Sequence, residues 1–167
     1  MISRVSIEHV DLLIVGAGLS GVGAGHQFGK KFPRRSYAIL EQRGELGGTW
    51  SLFRYPGVRS DSDMHTLGYR FKPWTQSEAI ADGPSILSYV QETAREGRVL
   101  DKIRYHQKVT LLEWSAEDSL WTATSTHTET GETSQVRANF VMMCAGYYNY
   151  DSGYNPEFPG RERFQGP

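Results

Sequence analysis

The sequence predicts an α/β fold: a Rossmann-like parallel sheet entered through a glycine-rich βαβ unit, with a three-stranded antiparallel meander added to it. Three observations carry that prediction. The apolar run "VDLLIV" (10–15) leads straight into "GAGLSG" (16–21), whose Gly16, Gly18 and Gly21 stand at G-x-G-x-x-G spacing. A second apolar run, "SYAILE" (36–41), follows and ends on an acid, Glu41. Further along, 103–139 alternates apolar and polar residues and is rich in β-branched side chains.

Taken in order, 10–15 is a short apolar run before glycines and predicts a buried strand. Residues 19–31 predict a helix, with Pro33 just beyond its end. Gly23, Gly25 and Gly29 lie inside it, and each weakens a helix by about 1 kcal/mol relative to alanine. Something must therefore pack closely against that helix to compensate. Residues 36–41 predict a second strand, parallel to the first because a helix crosses between them. The stretch 42–84 has no period; its mixture of Gly, Pro, Arg and Asp predicts a segment that wraps around something. Residues 83–97 predict a helix with Ser85 as candidate cap and an apolar face of Ile86, Leu87, Val90 and Ala94. Strands are predicted at 103–115, 120–130 and 132–139, with turns at Glu117–Asp118 and Gly131. "FVMMCAG" (140–146) predicts a fully apolar strand returning to the parallel sheet.

Composition narrows the function. The 167 residues suit one domain with a real core. Eighteen basic against nineteen acidic residues give a net charge of −1, with no basic stripe for nucleic acid. Cys144 is the only cysteine, so there is no disulfide framework and no CxxC pair, and a reducing, cytoplasmic setting is expected. The first apolar run is too short for a transmembrane helix and lacks the charged front of a signal peptide. The five histidines show no metal-ligand spacing, so no metal site is expected. No G-x-S-x-G elbow is present. Cys144, Trp114 and Trp121 read as packing residues, and "KKFPRR" (30–35) as a basic helix end that suits the helix dipole.

The chemistry concentrates in three places. Gly16 permits the tight turn, Gly18 lets a pyrophosphate approach the backbone at the helix start, and Gly21 lets helix and strand pack closely. Glu41, 20 residues after Gly21, sits where a carboxylate accepts hydrogen bonds from a ribose 2′-hydroxyl. It would repel a 2′-phosphate, which favours FAD or NAD over NADP at this site. A second glycine pair in "GGTW" (Gly47 to Trp50) suits a larger dinucleotide wrapped by a further loop; Trp50 either covers a flat ring or belongs to the core. "RYPGVRSDSDM" (54–64) is either a solvated loop with local ion pairs or a loop that sets Arg59 and Asp61 against a cofactor.

The string GxGxxG, Glu41, "GGTW", "RYPGVRSD" and "CAGYYNYDSGYNPEFPG" resembles the N-terminal part of class B flavoprotein monooxygenases, and more narrowly the type I Baeyer–Villiger monooxygenases. "SYAILE", "LFRYPG", "RSDSDM" and "GYYNYD" are similar to the mycobacterial ethionamide-activating group. That resemblance implies a FAD domain over 1–150, with 151–167 opening a linker to an NADPH-binding domain absent from this chain. Phe164, Gly166 and Pro167 match the start of the family signature F-x-G-x-x-x-H-x-x-x-W-P.

The resemblance also implies roles. Gly16, Gly18, Ser20 and Gly21 would line the FAD pyrophosphate and Glu41 would hold the adenosine ribose. Gly48, Thr49 and Trp50 would lie along the FAD, Val109 would meet the adenine, and Gly146 would close the site. Asp61 would be the catalytic aspartate beside the flavin, positioning an arginine of the NADPH domain. Arg59 and Ser60 would approach the nicotinamide cofactor. Many relatives carry a tyrosine where this chain has Leu67, with Tyr69 as the nearby substitute. The implied activity is NADPH- and O₂-dependent oxygenation of a ketone or a sulfur-containing small molecule, with the fragment itself catalytically incomplete. The alternatives are a non-catalytic FAD-binding module, or another FAD-dependent oxidoreductase on the same fold.

Overall fold

The computed structural model describes residues 7–149 and 152–166. The expected boundary at 150/151 and the signature's Pro167 lie outside the described residues. Strand β1 (Glu8–Val15), helix α1 (Leu19–Lys31) and strand β2 (Tyr37–Leu40) form the βαβ unit, and the two strands pair in parallel with Ile14 opposite Ile39. Two single-turn helices follow, α2 (Thr49–Leu52) and α3 (Met64–Leu67), and then the longer α4 (Gly83–Glu96). Strands β3 (Ile103–Arg104), β4 (Gln107–Ser115), β5 (Leu120–His127) and β6 (Thr133–Met143) complete one six-stranded sheet in the order β3-β2-β1-β6-β5-β4.

The expected class is the observed one, with two differences in how the strands are cut. Residues 132–139 and 140–146 were expected as separate strands; 133–143 is one strand. Its first half pairs antiparallel with β5, while Val136 to Met143 pair parallel with β1. One strand thus serves both the meander and the parallel sheet. Its last residues are not buried: Phe140 is 63 % exposed, and Met142 and Met143 are also exposed. The second difference is that 103–115 breaks at Tyr105–His106. His106 takes a left-handed conformation (φ 59°), and β3 and β4 end on opposite margins of the sheet. Two residues join those margins, so the sheet curls back on itself. Gln107 N–H donates to the Glu41 carbonyl (2.8 Å) at that closure.

Curling creates two cores. On one face α1 and α4 cover β1 and β2, burying Ile14, Val22, Ile39, Ile86, Val90 and Val99. On the other face the meander folds over the same strands, burying Leu13, Leu40, Ala123, Val136 and Ala138. The glycines of α1 meet the close packing their presence demands. A Cβ at Gly23 would lie 2.6 Å from the Tyr69 ring, and one at Gly25 would lie 3.1–3.2 Å from Ile39, Tyr37 and Val99. Helix α4 is capped by Asp82, whose carboxylate accepts the Ser85 N–H (2.7 Å); Ser85, the expected cap, supplies the donor instead. Asp82 caps better because Pro84 follows at the start of the helix, where its missing N–H costs nothing. Trp121 is half-buried and pairs across the strands with Trp114, which remains 50 % exposed rather than packed in a core.

Asp11 ties the entry of β2 to β1. Its carboxylate accepts the Ser36 N–H (2.7 Å), the Ser36 hydroxyl (2.9 Å) and Arg35 Nη1 (2.8 Å). The Ser36 N–H first, then Arg35 and the Ser36 hydroxyl, pull its pKa from 3.8 down to about 2. A carboxylate whose folded pKa is depressed contributes stability above its unfolded value and loses it as pH falls through the folded one. Asp11→Asn should therefore flatten the loss of stability between pH 3.8 and about 2. Urea titrations across that range would show it; equal acid sensitivity in both proteins would refute the assignment.

Candidate functional site

A cleft of about 940 Å³ opens at the C-terminal ends of β1, β2 and β6. That is where ligands bind in open α/β sheets. The backbone there is pinned from both sides. Gly16 N–H donates to the Leu40 carbonyl and Cys144 N–H to the Val15 carbonyl, each at 2.8 Å. Gly16 adopts φ +102°, and a Cβ on it would stand 2.5 Å from the Cys144 carbonyl, so the turn between β1 and α1 requires glycine. Helix α1 begins at this turn with Gly18 as its N-cap, no side-chain cap and no acid in the first turn. Its first N–H groups and the positive end of its dipole thus face the cleft uncompensated by the chain.

The second glycine pair meets the first. A Cβ on Gly48 would lie 3.0 Å from Gly18 Cα, and one on Gly18 would lie 3.5 Å from Gly48 Cα. Gly47 N–H donates to the Ala17 carbonyl (3.0 Å), locking the two turns together. Glu41 sits at the seam, 6 % exposed. Its Oε2 accepts the Ala17 N–H (2.7 Å) and its Oε1 the Arg43 N–H (2.9 Å). Each oxygen keeps a lone pair for a hydroxyl in the cleft.

The 54–64 loop forms the opposite wall. Ser60 is buried and anchors it: its N–H donates to the Ala81 carbonyl (2.9 Å), and its Oγ accepts the Ala81 N–H (3.2 Å). Arg59 makes a backbone bridge to Asp82. The flanking side chains of Arg59 and Asp61 are exposed and line the cleft. Asp63 does not take part; it caps α3 by accepting the Thr66 N–H (2.9 Å).

Thus Gly16, Gly18, Ser20, Glu41, Gly48, Thr49, Trp50, Arg59, Ser60, Asp61, Val109 and Gly146, drawn from six stretches of the chain, all line one cleft. Gly21 is the exception. It lies buried behind the turn, where a Cβ would fall deep inside the Gly16 carbonyl, so it shapes the site rather than lining it. Leu67 lines the cleft, whereas Tyr69 is not among the lining residues. The Tyr69 hydroxyl donates to the Leu19 carbonyl (2.5 Å), and its ring stacks on Phe71 and Tyr89 beneath α1. Cys144 is half-buried, packing against the first core as expected while also lining the cleft floor, and burial pushes its thiol pKa up, which keeps it protonated.

The sequence reading missed an aromatic rim. Phe53, Tyr55, Tyr147 and Tyr148 line the mouth, with Phe53 and Tyr148 edge to face at 6.0 Å and the two tyrosine rings 4.4 Å apart. Their signal was present as tyrosines directly after Gly146, but sequence distance hid their approach to Phe53. Among the described residues no group of three or more His, Cys, Asp or Glu side chains is placed to hold a metal ion. No helix of the described residues is long and apolar enough to cross a membrane.

Comparison with known proteins agrees with this geometry. Residues 14–79 match the family model of the NAD(P)-binding Rossmann-like domain. The chain is 52 % identical over 161 residues to the FAD-containing monooxygenase EthA of Mycobacterium tuberculosis, covering 96 % of this chain and 32 % of that protein. It is 51 % identical over 159 residues to EthA of Mycolicibacterium smegmatis, covering 95 % and 32 %. Among solved structures, an oxidized steroid monooxygenase bound to NADP superposes with a TM-score of 0.76 at 31 % identity, over 95 % of this chain and 30 % of that one. The chain is therefore a homologue of FAD-containing monooxygenases along nearly its whole length, and it spans about a third of the length of the curated relatives it matches.

Proposed function

We propose that this chain is the FAD-binding part of an NADPH- and O₂-dependent flavin monooxygenase that oxygenates ketones or sulfur-containing small molecules. The observation that carries the reading is the paired glycine cradle, Gly16–Gly18 against Gly47–Gly48, with Glu41 sealing it. A Cβ at Gly48 would stand 3.0 Å from Gly18 Cα and force the two turns apart, and the start of α1 between them offers N–H donors that suit a pyrophosphate. The residues fit the cofactor named in the relatives, FAD.

When bound, FAD would supply the redox and O₂ chemistry of the reaction. The chain's own residues bind and orient. Glu41 accepts a ribose hydroxyl, and Val109 on β4 lies near the adenosine end. Thr49 and Trp50, at the start of α2, line the cleft and would lie along the FAD. Arg59 and Asp61 stand on the anchored loop, where Asp61 would hold an arginine supplied by an NADPH-binding domain. A cation so held stabilises negative charge that develops in the reaction. The division into a FAD domain over 1–150 and a linker from 151 belongs to this proposal. The exposed Phe140 and Met142, which share one face of β6, agree with it, since a further domain segment would cover them.

Incubating the purified chain with FAD and removing free ligand by gel filtration tests the reading. Flavin absorbance should travel with the protein; a colourless protein that changes no flavin fluorescence on titration would refute it.

A further inference from the structure

Arg43 lies two residues past Glu41, in a stretch where the sequence shows no pattern. Its guanidinium is partly buried and reaches across the cleft wall to the second glycine turn. Nη1 donates to the Gly48 carbonyl (3.2 Å) and to Ser51 Oγ (2.8 Å), while Nη2 pairs with Glu45 (2.7 Å). Glu45 is held in turn by Arg54 Nη2 (2.9 Å), and Arg54 Nε donates to the Ser51 carbonyl (3.1 Å). The Arg43 N–H donates to Glu41. One residue therefore links the acid that seals the first glycine turn to the carbonyl that shapes the second.

That second turn has reason to need a clamp. Gly47 and Gly48 sit at φ +118° and +55°, a pair of conformations with little intrinsic preference to persist, and α2 beyond them is a single turn. The Gly48 carbonyl accepts from the Ser51 and Leu52 N–H groups as well as from Arg43. We propose that Arg43 is a positioning residue that locks the Gly47–Gly48 turn against Gly18 and so sets how tightly the cleft closes on a pyrophosphate-bearing ligand. Only a planar fork can hold Gly48, Ser51 and Glu45 together; a lysine ammonium reaches one or two of them. The consequence for ligand rests on the FAD reading above, whereas the locking of the turn does not.

Two measurements on the same chain separate these. Amide hydrogen exchange of Ser51 and Leu52 should accelerate about ten-fold or more in Arg43→Ala, with β1 and α4 unchanged. Exchange that rises equally everywhere would mean a general structural role and overturn the locking; so would no change. FAD titration by flavin fluorescence should show affinity falling about ten- to a hundred-fold in Arg43→Ala, with partial recovery in Arg43→Lys. A wild type that binds FAD alongside an Arg43→Ala protein that binds it equally well overturns the inference alone. A wild type that binds no FAD overturns the functional reading, and the exchange data still decide whether Arg43 locks the turn.

Discussion

Gly21→Ala should destabilise the protein by about 3 kcal/mol, because neither side of the clash can move. The added methyl would enter the Gly16 carbonyl, which is backbone. Gly16 cannot retreat: its N–H is bonded to the Leu40 carbonyl, and Cys144 and Ala145 close behind it. Lifting α1 instead would break its packing on Ile39, Tyr37 and Val99. Gly57→Ala is the control. Gly57, unlike the helical Gly21, has positive φ (+83°), but nothing lies within 4 Å of the new atom, so its cost is the backbone term of about 1 kcal/mol. In a chain of this length a loss of about 3 kcal/mol lowers Tm by roughly 10 °C. Urea unfolding of both variants checks it, and a Gly21→Ala protein no less stable than Gly57→Ala would overturn the steric account.

The same turn explains why so much was legible from sequence. The βαβ unit is written in short-range signals: apolar runs of strand length, glycines whose spacing is fixed by one turn, and an acid in register at the next strand end. Each follows from local geometry, and each lies where it was expected. The meander's turns at 117–118 and at Gly131 were legible for the same reason. What stayed hidden depends mostly on contacts distant in sequence. His106 breaks a strand by adopting a left-handed backbone that no glycine or proline marks, and its reason is tertiary: the chain must leave β2's edge and cross to the other face. Strand β6 was cut in two because its hydrophobic pattern changes at 140, where its antiparallel neighbour β5 ends and only β1 remains beside it. The aromatic rim was invisible because its meaning lies in a partner from another segment, Phe53 against Tyr148. Arg43 has its partners close in sequence, but they meet only through irregular turns that no periodicity marks.

Glu41→Gln should lower FAD affinity about a hundred-fold, equivalent to about 2.7 kcal/mol. The carboxylate accepts two backbone N–H groups, one on each oxygen, from Ala17 and Arg43. An amide offers one acceptor oxygen; its NH₂ must then face a backbone N–H in a buried seam, donor against donor. Losing one charge-assisted bond and leaving a donor unsatisfied costs about 1.5–3 kcal/mol, and the ribose loses its charged acceptor as well. Part of that cost opens the junction between Ala17 and the Gly47 turn, since Ala17 bonds both Glu41 and Gly47. Glu41→Asp separates the contributions. It keeps the charge but is shorter by a methylene, so it should hold one N–H and lose the other, falling between wild type and Glu41→Gln. The charge has a second effect that geometry alone would not produce. With the carboxylate gone, a ligand carrying a 2′-phosphate is no longer repelled, so the wild-type preference for an unphosphorylated ribose should narrow. Competition of ADP and 2′-phospho-ADP against FAD measures both effects in one set of titrations. Unchanged FAD affinity in a folded Glu41→Gln protein would refute the assignment of Glu41 to the ribose.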